Sequence, residues 1–115
     1  MEKHVEISML CQIYGKLLTE KQYEFINDYY NNDLSLSEIA ENNNITRQAA
    51  RDIIKKGENK LFEIEEKLGI MKKTFKQEEK IAIILSELTK IQKRSTDKQV
   101  AEILTHVKKE LNCLV

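Results

Sequence analysis

Residues 35–56, SLSEIAENNNITRQAARDIIKK, constrain this chain more than any other segment. They carry start signals for two helices, with room between them only for a tight turn. Ser35 and Glu38 make a Ser-x-x-Glu capping box, in which a serine oxygen and a glutamate carboxylate satisfy free amides at a helix start. The helix that follows from about Leu36 turns Ile39 and Ala40 inward, and a side chain as small as Ala40 lets a second helix cross close by. Asn42, Asn43 and Asn44 break the apolar rhythm and tolerate left-handed backbone better than most residues. Ile45 re-enters the core, and Thr46 is placed to cap the second helix. There Ala49, Ala50, Ile53 and Ile54 form the inner stripe, while Arg47, Gln48, Arg51, Asp52 and Lys55 look outward. The spacing predicts a helix-turn-helix over 35–56.

The outward set suits the major groove of DNA. Arg and Gln make paired hydrogen bonds to guanine and adenine edges, and Lys or Arg meets phosphates. Thr46, Arg47, Gln48, Arg51, Lys55 and Lys56 are therefore the candidate nucleic-acid-binding residues. Asp52 lies within the same face and repels phosphate. The whole chain has a formal net charge of zero and a pI of 6.7, whereas a strong nonspecific binder is more basic. The charges are unevenly placed: residues 20–43 hold six acids against Lys21, and residues 44–60 hold five bases against Asp52 and Glu58. A second basic stretch, residues 72–94, has seven bases against Glu78, Glu79 and Glu87. Either basic stretch serves as a solvated helix face or as a contact for phosphate.

The rest of the chain reads as helix throughout. There is no proline and there are three glycines in 115 residues. No segment alternates polar and apolar residues cleanly enough for a strand, so the fold class is all-α. Six helical stretches are predicted. Residues 4–18 carry Met9, Leu10, Ile13, Tyr14, Leu17 and Leu18 at three-and-four spacing, and Thr19 with Gln22 forms another capping box. The next helix puts Tyr23, Ile26, Tyr29 and Tyr30 on one side and ends at Asn31-Asn32-Asp33. The helix opened by Thr46 runs on, since Ile53, Gly57, Leu61, Ile64 and Leu68 continue one stripe to Gly69, a left-handed stop. Two further amphipathic helices follow. One uses Ile81, Ile84, Leu85, Leu88 and Ile91, the other Val100, Ile103, Leu104, Val107 and Leu111, joined through Arg94-Ser95-Thr96-Asp97. The expected organisation is an N-terminal four-helix lobe, residues 1–68, and a C-terminal helical hairpin, residues 69–115. The hairpin packs either on the long helix or on a second subunit. A homodimer is expected, which would offer two recognition helices to DNA half-sites.

The stretch LTEKQYEFINDYYNNDLSLSEIAE, followed by ITRQAARDIIKKGENKLFEIEEKLGI, resembles the small YlxM-like proteins of Gram-positive bacteria. The likeness spans the chain and is most specific from Leu18 to Leu68. It implies an all-helical fold with a helix-turn-helix similar to region 4 of RNA polymerase sigma factors. It also implies a DNA-binding protein associated with the signal recognition particle, whose RNA or protein is the alternative partner. The family's Ser/Thr-Arg-Gln-Ala segment falls on Thr46, Arg47, Gln48 and Ala49. The chain departs from the pattern at Ala50, where a larger apolar residue is usual, and at Asn43 and Asn44, where sigma-like motifs favour an apolar residue and glycine. Arg51 replaces a frequent aromatic.

Other classes fit less well. No glycine-rich phosphate loop, paired metal-ligand motif or nucleophile signature is present, so neither an enzyme nor a cofactor is expected. His4 with Cys11, and His106 with Cys113, stand seven residues apart, which leaves each pair ~10 Å apart along a helix, too far for one zinc ion. Cys11 and Cys113 are expected as buried thiols. No apolar run approaches the ~20 residues of a membrane span and no export signal opens the chain, so no membrane partner and a cytoplasmic location are expected.

Overall fold

The computed structural model describes residues 1–114. Among them it contains α1 (Lys3–Tyr14), a 3-10 turn (Gly15–Leu17), α2 (Glu20–Tyr30), α3 (Leu36–Asn42), α4 (Arg47–Leu68), α5 (Ile70–Arg94) and α6 (Lys98–Asn112), and no strand. The chain divides into two compact units, Met1–Met71 and the residues from Lys72 onward.

Local chemistry sets the helix starts in the first unit. Thr19 Oγ1 accepts from the Gln22 amide while Gln22 Oε1 accepts from the Thr19 amide, both at 3.1 Å. Ser35 and Glu38 make the same reciprocal pair at 3.1 and 3.2 Å. Thr46 Oγ1 accepts from the Ala49 amide at 3.0 Å and opens α4. At the other end Gly69 takes φ +63°, and its amide donates to the Glu65 carbonyl. A residue without Cβ adopts that left-handed backbone at no steric cost.

α4 is the spine, with α1, α2 and α3 all packed on it. Ile7, Leu10, Phe25, Ile26, Ile39, Ala50 and Leu61 make the dry centre. Gly57 lets α2 approach closely: a Cβ there would lie 2.6 Å from Ile26 Cδ1 and 3.2 Å from Gln22 Cβ. One turn of polar chemistry accompanies that contact. Glu58 is buried; Tyr30 donates its hydroxyl to the carboxylate, and Lys3 Nζ stands 3.7 Å away. Burial first, then the Glu58 carboxylate, pushes the Tyr30 phenol well above the ordinary range, so it remains a donor. A second tyrosine does similar work. Tyr14 donates to Glu65 at 2.6 Å and accepts from the Ile70 amide at 3.2 Å, and Glu65 accepts from the Met71 amide at 3.0 Å. These bonds satisfy amides at the start of α5 and tie Ile70 and Met71 to the first unit.

The apolar stripes differ from the expected ones. α1 buries Ile7, Leu10, Cys11 and Tyr14, whereas Ile13 and Leu17 are exposed. The helix gives way to the 3-10 turn after Tyr14, so Leu17 falls off its period, and Cys11 acts as a small apolar residue. In α2 the core takes Phe25 with Ile26 and leaves Tyr23 and Tyr29 at the surface. A phenyl ring has no hydroxyl to keep wet. Cys11 is buried, and burial raises its thiol pKa; Cys113, also expected inside, is exposed.

The second unit is a helical hairpin. Asp97 Oδ1 accepts from the Gln99 amide at 2.8 Å and starts α6 after a three-residue connection. Gln92 Nε2 donates to the Ala101 carbonyl at 3.2 Å and to Thr105 Oγ1 at 2.8 Å, and its Oε1 accepts from Lys108 at 3.3 Å. The short connection and these cross-links make α5 and α6 antiparallel neighbours. Among the described residues no side chain of α6 is buried, and of α5 only Met71 is. No described helix is long and apolar enough to cross a membrane.

Filling the α2–α4 contact is expected to be costly. Gly57→Leu should lower unfolding free energy by about 1–3 kcal/mol through overpacking against Ile26, read by urea denaturation. Unchanged stability would mean that the helices are not held so closely.

Candidate nucleic-acid interface

The turn between α3 and α4 sets the direction of the exposed face of α4. Asn44 has φ +56°, the left-handed conformation that the asparagine run was expected to supply. The Ile45 amide donates to the Ala40 carbonyl at 3.0 Å, and Asn43 Nδ2 donates to the Ile39 carbonyl at 2.8 Å, so the end of α3 is satisfied from within the turn. Ile39 and Ala40 are buried and Ile45 is half-buried. α4 therefore leaves the turn with Ala50 and Ile54 inside and the opposite side open to water.

Each predicted site residue is exposed: Thr46, Arg47, Gln48, Arg51, Lys55 and Lys56. Four-residue spacing sorts them into two adjacent rows. Arg47, Arg51 and Lys55 form the first, three cations within ~12 Å of helix. The ion pairs described are Lys3–Glu58, Lys21–Glu24 and Lys67–Glu63, so among the described residues this row is not neutralised by a carboxylate at salt-bridge distance. Gln48, Asp52 and Lys56 form the second row. Gln48 Nε2 donates to Asp52 Oδ1 at 3.0 Å, which orders the amide and occupies one of its donors. The remaining N–H and the carbonyl of Gln48 stay available, the pair of functions that adenine recognition needs. Thr46 spends its oxygen on the cap and keeps its own O–H to donate.

Sequence reasoning missed the flank of this face. A cleft of about 160 Å³ beside the basic row is lined by Arg51, Lys55, Ile54 and Glu58 of α4, by Tyr29 and Tyr30 of α2, and by Lys3 and Leu36. Lys3 thus joins Arg51 and Lys55 from 48 and 52 residues away, and Glu58 places a carboxylate at the inner wall. The tyrosines stack edge to face, with ring centroids 5.0 Å apart, and Tyr30 meets His4 in the same way at 5.2 Å. No local motif announces Lys3. Only the docking of α1 against α4 brings it there.

Comparison with known proteins follows this geometry. A family model described as "Putative helix-turn-helix protein, YlxM / p13 like" matches residues 1–109. The chain is similar to a UPF0122 protein of Acetivibrio thermocellus, 40% identical over 115 residues, which covers 100% of this chain and 98% of the relative. It is similar to a second UPF0122 protein, from Clostridium acetobutylicum, at 38% identity over 112 residues and 97% of each chain. A third, from Fusobacterium nucleatum, is 50% identical over 80 residues, 68% of this chain and 78% of its own. The two long matches take in both units.

The cap that positions the face can be tested without any ligand. Thr46→Ala should cost about 1 kcal/mol of stability, measured by thermal or urea unfolding, while Thr46→Ser should restore most of it.

Proposed function

The chain belongs to the YlxM/p13-like family of helix-turn-helix proteins, and on that premise we propose that it is a non-enzymatic, DNA-binding regulatory protein of the signal recognition particle pathway. One observation supports the DNA reading above the others: the capped first half of α4 presents Arg47, Arg51 and Lys55 in one open row. In this reading the start of α4 enters the major groove. Arg47 and Gln48 reach base edges, Arg51 follows on the same side, and Lys55 and Lys56 meet phosphates. The link to protein targeting rests on the likeness to YlxM-like proteins.

Asp52 lowers affinity for every duplex alike, since its carboxylate repels any phosphate backbone, and the difference between sequences is left to the arginines and Gln48. A second reading, in which the partner is the particle's RNA or protein, is favoured by the balanced net charge and by the basic stretch at 72–94.

Arg47→Ala and Arg51→Ala should each weaken binding to a cognate fragment by ~1–3 kcal/mol if the side chain makes a paired base contact. Fluorescence anisotropy at low salt reads this directly. Unchanged affinity in both variants would remove the face as a reader. Lys55→Ala should weaken all sequences alike and reduce the slope of log affinity against log salt by about 1. Asp52→Asn should tighten binding to cognate and random duplexes by a similar factor, since the repulsion it removes is common to both and Asn still accepts from Gln48. A pull-down that compares the particle's RNA, its protein and upstream DNA fragments over a salt series separates the two readings. Salt-sensitive capture of RNA alone would favour the second.

A further inference from the structure

The hairpin has an apolar side that its own two helices leave open. Half-buried Leu85, Leu88 and Gln92 on α5, with Ala101, Leu104 and Lys108 on α6, mark the line along which the helices meet. Ile84, Ile91, Ile103 and Val107 each stand one residue before a member of that line, and they are 43, 51, 62 and 36% exposed. One residue is a rotation of roughly 100° about a helix axis. The four side chains are thus turned away from the contact line in the same rotational sense. In antiparallel helices, rotations of one sense point to the same side of the pair. The exposed residues therefore form one face and not two.

We propose that a second copy of this chain covers that face, hairpin on hairpin, to close a four-helix bundle. Two helices meeting along one line cannot bury stripes wider than about 100°, and a second hairpin supplies the matching pair of stripes. The area suits a dimer. The four side chains expose roughly 330 Å² per copy, a patch of the size that is often functional, and two copies with their polar rims approach the ~1,000 Å² of a specific interface. The charges suit it as well. Beyond Lys72 the unit holds an excess of bases, yet the charged positions that share the rotation of the apolar four are of both signs, Lys73, Lys80 and Arg94 with Glu87 and Glu110. Lys90 and Lys93 fall elsewhere on α5. A twofold partner thus meets a rim of mixed sign, in which the bases of one copy can face Glu87 and Glu110 of the other.

Sedimentation equilibrium of the full chain from about 1 to 100 µM, across which a reversible dimer changes mass by mass action, tests the proposal. The expected mass rises towards twice 13.5 kDa. Ile91→Glu and Ile103→Glu should each move the midpoint about tenfold or more to higher concentration with helical circular dichroism kept, because each buries an unpaired charge. Ile13→Glu, at an exposed site in the first unit, should leave the midpoint in place. Should the hairpin variants lose helix instead, hydrogen exchange of the unaltered chain decides the matter: α5 and α6 amides must gain protection as concentration rises. A concentration-independent mass of 13.5 kDa, equal dissociation by Ile13→Glu, or exchange indifferent to concentration would each overturn the assignment.

Discussion

The close approach of α2 to α4 at Gly57, reinforced by the buried Glu58 that accepts from Tyr30, is the contact on which the first unit depends. A helix of 22 residues has freedom to roll about its axis unless something keys it. An absent Cβ at one position and a buried carboxylate at the next do so, since only one rotation puts Gly57 under Ile26 and Glu58 under Tyr30. That rotation also decides which side of α4 faces water ten residues earlier. Arg47, Arg51 and Lys55 are presented outward because the far half of the same helix is locked. A buried carboxylate gives no large net stabilisation, since its desolvation cost offsets much of the hydrogen bonding, but it penalises every rotation that would leave it unpaired.

How legible this was depended on how local the cause was. Capping boxes at Thr19 and Ser35, the Thr46 cap, the left-handed asparagine and the Gly69 stop are decided within a few residues, and the chain displays them openly. The six helices follow from them. Stripe rotation is decided by partners distant in sequence. Cys11 and Phe25 enter the core, and Tyr23 and Ile13 leave it, because of which neighbours α4 offers. Glu58 carried no sign of burial, for its partners Tyr30 and Lys3 are 28 and 55 residues away. Of the candidate site, the row on α4 was readable as one helix face; Lys3 and the tyrosine-lined cleft were not, being made by tertiary contact alone.

The neutral total conceals two opposed halves. From Lys72 onward ten basic residues stand against six acidic ones, so the first unit carries the compensating negative excess. The cationic row on α4 therefore belongs to an acidic unit and the longest basic stretch to the other. Long-range attraction for a polyanion falls off within about 10 Å at ordinary salt, which makes the local row on α4 matter more for an encounter than the sum over the chain. Within that row three cations face outward, and in the adjacent row, next to Arg51, stands Asp52.

That arrangement has a consequence for how affinity divides. Nonspecific binding scales with the number of phosphates neutralised, and each such contact contributes through counterion release. A face with three cations in its main row and a carboxylate in the adjacent one can neutralise few phosphates. On the proposed DNA reading, most of the free energy of a complex would then come from base edges, through the paired donors of the arginines and the ordered amide of Gln48. Asp52 has two effects at once here: its hydrogen bond holds Gln48 in one orientation, which lowers the entropy lost on contact, and its charge penalises every duplex equally. On the proposed DNA reading the charge lowers affinity for all sequences alike, and only the hydrogen bond that orients Gln48 bears on the difference between one sequence and the rest.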